Sequence, residues 1–209
     1  MKKLFVIATA SLIAFGANAQ QSKTYFGGEL GVSKVDDATG SLTGSLVSAV
    51  GGAATATQDT RVSTFKLLGG YRYTENVDLE LAYFQSSTIN LNFNGVARNS
   101  VAYTGNANMK FSGFEYATNL RPNVASGWND LYFRVGGHSS KVEYGLSITG
   151  NSTVATSQSK SGTGTLYGIG YDQSIDGTTK IRYSAIKYSK VGGEDVSGTV
   201  YSIGVVKNF

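Results

Sequence analysis

The sequence predicts an all-β fold, an eight-stranded antiparallel up-and-down transmembrane β-barrel, on three observations. The chain has 209 residues with 27 Gly, 13 Tyr and one Pro, a composition that suits strands and turns. Segments along the whole chain alternate apolar and polar residues with a period of two, as expected of strands that separate lipid from a polar interior. The last such segment, residues 201–209, ends on an aromatic residue.

The first residues of the chain are typical of a signal peptide. Two lysines follow Met1, residues 4–15 are apolar, and Ala-Asn-Ala at residues 17–19 forms a small-residue cleavage site. The apolar stretch is shorter than the ~20 residues that a membrane-spanning helix needs. We therefore expect a signal peptide at residues 1–19 and a barrel domain at residues 20–209.

Charge and cysteine content exclude several functional classes. The 18 basic and 14 acidic residues form no basic cluster of the kind that nucleic-acid binding requires, so we expect no nucleic-acid partner. The sequence has no Cys and one His, which leaves no disulfide, no thiolate site and no recognisable metal-binding pattern. We expect neither a metal nor a cofactor.

The clearest alternation in the chain predicts a hairpin. In residues 65–73 (FKLLGGYRY) both basic residues share one side, and in residues 77–84 (VDLELAYF) both acidic residues do. A basic residue at the bilayer midplane on the lipid side of a barrel costs ~2–4 kcal/mol. The charged side, with Lys66, Arg72 and Glu80, is therefore expected to face the interior.

The remaining strands follow the same alternation less regularly. Phe111 and Phe114 fall on opposite sides of the fourth strand, and a β-bulge near Gly113 would reconcile them. The apolar parity of the fifth strand changes beyond His138, which we interpret as a bulge around Gly136-Gly137. Lys187 breaks the pattern of the seventh strand. Outside the hairpin, strands are predicted near residues 25–34, 108–118, 131–137, 165–171, 180–188 and 201–209.

The connections alternate between long and short. Residues 35–60, 86–107, 149–162 and 189–197 are mostly rich in Ser, Thr, Asn or Gly, without a helical period, and predict four long loops. The other connections are short or moderate. This alternation is expected of a barrel with tight periplasmic turns and long external loops. Trp128, in one of the moderate connections, would suit an interfacial position.

Two stretches resemble known proteins. The hairpin KLLGGYRYTENVDLELAYF is similar to the second and third strands of small outer-membrane barrels of the OmpA/Opa type. The C-terminal stretch resembles the signal that the barrel-assembly machinery reads in bacterial outer-membrane proteins. Its matching residues are Tyr201, Ile203, Val205 and Phe209. The resemblance implies a bacterial outer-membrane location and the assembly machinery as a partner.

Charged residues predicted to face the interior are the candidate functional residues. They are Glu29, Lys66, Arg72, Glu80, Arg134 and Arg182. The preferred interpretation is a network of paired charges, because the interior of an eight-stranded barrel is only wide enough for side chains. An ion path or gate is the alternative interpretation.

A catalytic alternative starts from the single histidine. His138, Ser140 and the nearby Glu143 resemble part of the site of outer-membrane lipid A deacylases. Lys141 follows the serine, however, where that family has Asn. We therefore expect a solvated histidine at the barrel rim and no enzymatic activity.

A lipocalin-like soluble barrel is the competing fold, because period-two alternation alone does not tell which face meets water. The terminal Phe209, the alternating loop lengths and the absence of Cys favour the membrane. We expect a monomeric, non-catalytic outer-membrane protein that contacts membrane lipid and lipopolysaccharide. Its four external loops would have a structural or adhesin-like role and bind an external ligand. A narrow ion channel and, less favoured, a lipid A-modifying enzyme are the alternatives.

Overall fold

The computed structural model describes residues 23–35, 39–122, 130–193 and 196–209; the predicted signal peptide and Trp128 lie outside the described residues. This part of the chain contains ten strands, one α-helix and a 3-10 turn at Val191–Gly193. The strands and the helix are β1 (Thr24–Val35), α1 (Thr39–Val50), β2 (Ala53–Gln58), β3 (Arg61–Thr74), β4 (Val77–Ser86), β5 (Ile89–Val96), β6 (Ala102–Leu120), β7 (Leu131–Thr149), β8 (Thr153–Ser174), β9 (Thr179–Ser189) and β10 (Gly198–Asn208). No helix among the described residues is long and apolar enough to cross a membrane.

Eight of the strands close into a ring. Their order around the ring is β1-β3-β4-β6-β7-β8-β9-β10, and every neighbouring pair is antiparallel. The last strand pairs with the first from Tyr25↔Asn208 to Val35↔Gly198. The predicted eight-stranded antiparallel up-and-down barrel is therefore confirmed. We call the end where β1 begins and β10 ends the terminal end, and the opposite end the outer end.

The two remaining strands lengthen the wall at the outer end. Strand β2 leads into β3 and β5 follows β4, each after two residues, and β2 pairs with β5. Strand β5 also pairs with the outer half of β6, while β7 and β8 stay paired as far as Thr149↔Thr153. We call this part of the wall, residues 53–58, 89–96, 102–110, 141–149 and 153–161, the outer extension.

Three of the four predicted long loops are mostly regular structure. Residues 35–60 contain α1 and β2, residues 86–107 contain β5 and the start of β6, and residues 149–162 contain the first half of β8. The prediction failed for α1 because its segment, TGSLTGSLVSAV, mixes small and apolar residues without a broad apolar stripe. It failed for the strands because they are rich in Ser, Thr, Asn and Ala and lack the apolar alternation of the barrel wall.

Neither predicted bulge is found. Strand β6 keeps an unbroken register with its neighbours across Gly113, and so does β7 across Gly136 and Gly137. A register shift occurs instead between Arg72 and Thr74. The apolar residues of β7 beyond His138 point inward. The parity of apolar residues changes there because the interior is apolar at that height and ionic nearer the terminal end.

The exterior of the barrel carries a continuous band of exposed apolar side chains. Between residues 65 and 73, β3 rises about 26 Å along its axis at ~3.3 Å per residue. A strand tilt of ~40° reduces this to a band roughly 20 Å tall, close to the ~25 Å of transmembrane barrels. The band includes Leu30, Phe65, Leu67, Tyr71, Leu79, Leu81, Phe114, Tyr116, Phe133, Val135, Tyr167, Ile169, Tyr183, Tyr201, Ile203 and Val205.

The interior is filled in two layers. Charged and polar side chains, with a small apolar cluster of Tyr25, Leu68, Ala82 and Val206, occupy the half toward the terminal end. A larger apolar cluster occupies the half toward the outer end. The cluster consists of Phe84, Met109, Phe111, Ala117, Val142, Tyr144, Leu166, Ile186, Tyr188, Val191 and Val200. A cavity of about 50 Å³ remains beside this apolar layer.

Glycines on one strand make room for rings from the next. The ring of Tyr25 lies over Gly70, and the ring of Tyr132 lies over Gly170, in both cases so closely that a Cβ on the glycine would overlap the ring. Both tyrosines are almost completely buried. The glycines inside the strands therefore let bulky aromatic rings lie flat against the wall of a narrow barrel.

Candidate functional site

The interior toward the terminal end contains one continuous network of charged side chains. Every barrel strand except β10 supplies at least one member. Side chains along a strand alternate between the two faces of the wall, and in these strands the charged residues fall on the inward face. Among the described residues the members are the bases Lys66, Arg72, Arg121, Arg134 and Arg182 and the acids Glu29, Asp78, Glu80, Glu115 and Asp172. Five positive charges meet five negative charges, so the network is formally neutral.

Arg182 on β9 is the central member. Its Nε and Nη2 donate to the two carboxylate oxygens of Asp172 at 2.7 and 3.1 Å, the two-point geometry that favours strong ion pairs. Its Nη1 donates to Glu80 Oε2 at 2.6 Å. The rings of Tyr132 and Tyr25 lie 5.0 and 5.6 Å from its guanidinium carbon, within cation–π range.

Glu80 extends the network toward the outer end. It pairs with Arg134, whose Nη2 also donates to Glu115 Oε2 at 2.9 Å. Tyr25 Oη and Asn119 Nδ2 donate to Glu80 Oε2 at 3.0 and 3.1 Å. Charge and hydrogen bonds together satisfy this carboxylate, which a buried ion requires.

A second branch lies between β1 and β3. Lys66 Nζ lies 3.0 Å from Glu29 Oε2. The hydroxyls of Ser184 and Ser202 donate to the same carboxylate oxygen at 3.1 and 2.5 Å. Serine hydroxyls from β9 and β10 thus connect the Lys66 pair to the side of the barrel where the chain closes.

A third branch closes the network at the terminal end. Arg121 lies 2.9 Å from Asp78 and 2.5 Å from Asp172. Arg72 donates to the other oxygen of Asp78 at 2.9 Å. The ring of Tyr132 lies 5.3 Å from the Arg121 guanidinium carbon. Tyr132 is therefore in cation–π range of two arginines.

The structure brings together all six charged residues named from the sequence. Sequence reasoning also placed Asp78 in the interior, but it did not identify three other members. Arg121 follows directly after β6, where the sequence predicts a connector. Asp172 comes directly after the predicted sixth strand, residues 165–171, and the irregular alternation of the fourth strand does not decide which way Glu115 faces. The small or polar residues Gly113 and Asn119, which share the inward side with Glu115, were the available signal.

Three residues of the predicted assembly signal lie on the closing strand, and the fourth, Phe209, follows directly after it. Tyr201, Ile203 and Val205 point outward and are exposed. The ring of Phe209 packs edge-to-face against Phe26 at a centroid distance of 5.8 Å. These contacts hold the end of the chain against β1, and recognition by the assembly machinery remains a prediction.

The single histidine is buried, so the expectation of a solvated rim residue was wrong. Its Nε2 lies 3.0 Å from the carbonyl oxygen of Ser189, which requires the proton on Nε2. Nδ1 of His138 then accepts from Ser140 Oγ at 3.1 Å, and this oxygen accepts from Gly192 N at 2.8 Å. The pair holds the 3-10 turn in the barrel mouth.

Glu143, the acid of the catalytic alternative, lies on the opposite side of β7 from His138. Glu143 faces outward, where Lys141 Nζ lies 2.7 Å from its Oε1. The hydrogen bond and the positive charge of Lys141 lower the pKa of the Glu143 carboxyl. This carboxylate therefore cannot orient His138, as the acid of a catalytic triad does. The geometry accounts for His138 and Ser140 as anchors of the turn.

Comparison with known proteins gives a likeness of fold. No protein-family model matches the chain, and no curated protein matches it. The outer membrane protein Ail of Yersinia pestis is 12% identical with a TM-score of 0.48, over 90% of this chain and 99% of that one. Neisserial surface protein A is 14% identical with a TM-score of 0.41, over 90% and 98%. The N-terminal barrel domain of Pseudomonas aeruginosa OprF is 13% identical with a TM-score of 0.37, over 91% and 100%.

Proposed function

We propose that this chain is a small bacterial outer-membrane barrel, a non-catalytic scaffold that displays its outer extension for contact with external partners. The contrast between the two sides of its wall carries this proposal. Leu67, Leu81 and Ile203 are more than half exposed on the outside, whereas Glu80 and Arg182 are buried inside. In water such an apolar band would promote aggregation. In a membrane the same band is stable because it contacts the acyl chains of the lipid.

The polarity of the wall inverts above the band, which supports a membrane boundary at that height. On β7 the outward residues change from Phe133 and Val135 to Lys141 and Glu143, and the inward residues change from Arg134 to Val142. A lipocalin-like barrel would carry the second arrangement along its whole length. Only the outer end of this barrel does, as expected where the wall leaves lipid and enters water.

The packed interior supports a scaffold over a channel. The ionic layer leaves its charges paired, and the apolar layer above it includes Phe84, Val142 and Tyr188. An ion would have to displace buried pairs and then cross an apolar layer without ligands. Both steps are costly, since burying an unpaired charge costs several kcal/mol.

The outward face of the outer extension supports contact with polar partners. Asn92 and Asn94 of β5, Asn106 of β6 and Thr55 of β2 are neighbours on this face. Asn106 Nδ2 donates to Asn92 Oδ1 at 2.8 Å. Such amide and hydroxyl groups both donate and accept hydrogen bonds, so the face suits an adhesin-like role toward polar external ligands.

The membrane part of the proposal is tested with spin labels on the refolded protein. Labels at Leu67, Leu81 and Ile203 are expected to report acyl chains, and a label at Asn92 is expected to report water. The unboiled protein is expected to migrate differently from the boiled protein on a gel. A mature chain that stays soluble without detergent, or water at all four labels, would overturn the proposal.

The functional part is tested on cells and in planar bilayers. Replacing residues 146–156 by an Asn-Gly turn shortens the β7–β8 hairpin where Gly145 pairs with Ser157 and keeps Tyr144 of the interior apolar cluster. Cells that display this variant are expected to adhere less to host surfaces than cells with the wild type at equal surface density. Equal adhesion would contradict the role of the outer extension in contact with partners, and stepwise conductance of the wild type would favour the channel.

A further inference from the structure

Two basic residues face each other immediately above the lipid-facing band. Lys34 of β1 and Arg61 of β3 are register partners, and both are exposed on the outward side. Like charges directly opposite on paired strands destabilise a sheet. Neither has an ion-pair partner within the described ranges. An anion bound between the two side chains would relieve this repulsion.

A third basic residue extends the pair into a row. Lys34 is the register partner of Thr199, which in turn is the register partner of Lys187 on β9. Lys187 therefore lies on the same outward-facing row across the strands, two strands or about 10 Å from Lys34. The break that Lys187 makes in the alternation of its strand has its explanation here: at this height the wall meets polar groups rather than acyl chains.

An apolar groove lies directly below this row of cations. It has a volume of about 620 Å³, within the ~300–1,000 Å³ of small-molecule sites. Val32 and Ala185 lie two residues below Lys34 and Lys187, and Tyr201 is the register partner of both Val32 and Ala185. The small Ala185 forms a low point of the wall. The groove is lined on its outward side by Leu30, Val32, Ile169, Tyr171, Tyr183, Ala185, Tyr201 and Ile203.

Among the described residues, the opposite side of the rim carries a smaller excess of positive charge. Lys110 of β6 is the register partner of Glu143, and Lys141 lies 2.7 Å from the same carboxylate. A carboxylate thus partly neutralises these two cations. The row at Lys34, Arg61 and Lys187 is therefore a local feature of one face, not a general property of the rim.

We propose that this face binds one phosphorylated lipid of the outer leaflet, with its phosphate at Lys34, Arg61 and Lys187 and an acyl chain in the groove. The proposal rests on the membrane location proposed above. Phosphate oxygens accept two-point hydrogen bonds from arginine and pair with lysine. A soluble anion would occupy the cationic row but leave the groove empty, whereas a lipid supplies both parts in one molecule.

The test measures how many lipids the protein retains. The mature chain is refolded in neutral detergent, and native mass spectrometry counts bound bis-phosphorylated lipid A. The double variant K34Q/R61Q is compared with K110Q/K141Q, which also removes two outward cations. We expect K34Q/R61Q to weaken binding roughly thirtyfold, the effect of two basic residues at an anionic lipid surface. K110Q/K141Q is expected to keep most of the wild-type binding, because these two cations lie on the opposite side of the barrel from the groove.

The groove is tested separately from the charge. A185W fills its low point and is expected to reduce lipid A binding, while inorganic phosphate and a soluble sulfated glycan fail to compete. Equal losses in the two double variants, unchanged binding in A185W, or full competition by the soluble anions would overturn the proposal. Gel mobility of the unboiled variants verifies folding, and a wild type without a mobility shift would count against the membrane location instead.

Discussion

Glu80 and Arg182 are 102 residues apart in the sequence, yet Glu80 Oε2 accepts a hydrogen bond from Arg182 Nη1 at 2.6 Å. They lie on β4 and β9, which are four strands apart in either direction around the eight-stranded ring. The pair therefore joins opposite walls of the barrel across its interior. Because both side chains are buried, each charge depends on the other and on Arg134 and Asp172 for neutralisation.

Removal of the Glu80 charge is expected to destabilise the barrel strongly. Glu80→Gln keeps the size of the side chain but leaves two buried arginines with one negative charge fewer. Breaking a buried ion pair in this way costs about 3–5 kcal/mol of the free energy of unfolding. Urea titration in lipid vesicles, followed by gel mobility, measures the difference.

The matched control for Glu80 is an exposed pair. Glu143→Gln removes a carboxylate that contacts Lys141 in solvent, and no resolvable change in unfolding is expected. A Glu80→Gln barrel as stable as the Glu143→Gln barrel would show that the interior network is not tightly coupled.

The sequence predicted the barrel strands best where lipid and charge lie on opposite sides of one strand. Lys66 and Glu80 alternate with Leu67 and Leu81, so their inward facing could be inferred without a structure. The inference failed for β6, where Phe111 and Glu115 share the inward side. The barrel interior changes from ionic near the terminal end to apolar near the outer end. The alternation along a single strand does not show at which height in the barrel a residue lies.

The same limit explains the missed outer extension. Asn92 and Asn106 lie in regular strands, but their outward face meets water, so no lipid imposes an apolar side there. The interior arginine that follows β6, Arg121, was missed for a different reason. It follows the last strand residue, and its two carboxylate partners come from β4 and β8, which only the closed barrel brings together.

Loss of the Ser140 hydroxyl is expected to loosen the turn in the barrel mouth. Ser140→Ala leaves the buried Gly192 N–H without an acceptor, at a cost of about 1–3 kcal/mol in the free energy of unfolding. Hydrogen exchange at the Gly192 amide is expected to accelerate correspondingly. Ser139→Ala, on the exposed side of the same strand, is the control. Equal hydrogen exchange at Gly192 in the two variants would contradict the anchoring role.

The catalytic alternative has its own test. A changed lipid A profile in cells that carry His138→Ala would support it.

Two glycines that each follow another glycine in a strand, Gly28 and Gly70, are expected to differ in how much their substitution by Ala lowers the thermal stability. Gly70→Ala places a Cβ inside the ring of Tyr25, and overpacking of this kind costs about 1–3 kcal/mol. Gly28→Ala places its Cβ 3.7 Å from Leu67 Cδ2, an ordinary contact on the lipid side. Thermal unfolding in vesicles is expected to rank Gly70→Ala well below wild type and Gly28→Ala near it. The reverse order would show that these rings do not pack as described.

The turn between β8 and β9 is expected to weaken in acid through one carboxylate. Asp176 accepts hydrogen bonds from Thr178 N and Thr179 N at 2.7 and 2.6 Å, and from Thr178 Oγ at 3.0 Å. These bonds lower the pKa of Asp176 from 3.8 to about 2. Because the pKa is lower in the folded state, the carboxylate stabilises the turn above about pH 4, and this contribution is lost as the pH falls toward 2.

The difference in unfolding free energy between wild type and Asp176→Ala is therefore expected to be constant at neutral pH and to shrink below pH 4. Asp176→Asn keeps an acceptor oxygen without ionising, so its own difference from Asp176→Ala should not change over that interval. An NMR titration of the Asp176 carboxyl with a midpoint at 3.8 would contradict the prediction.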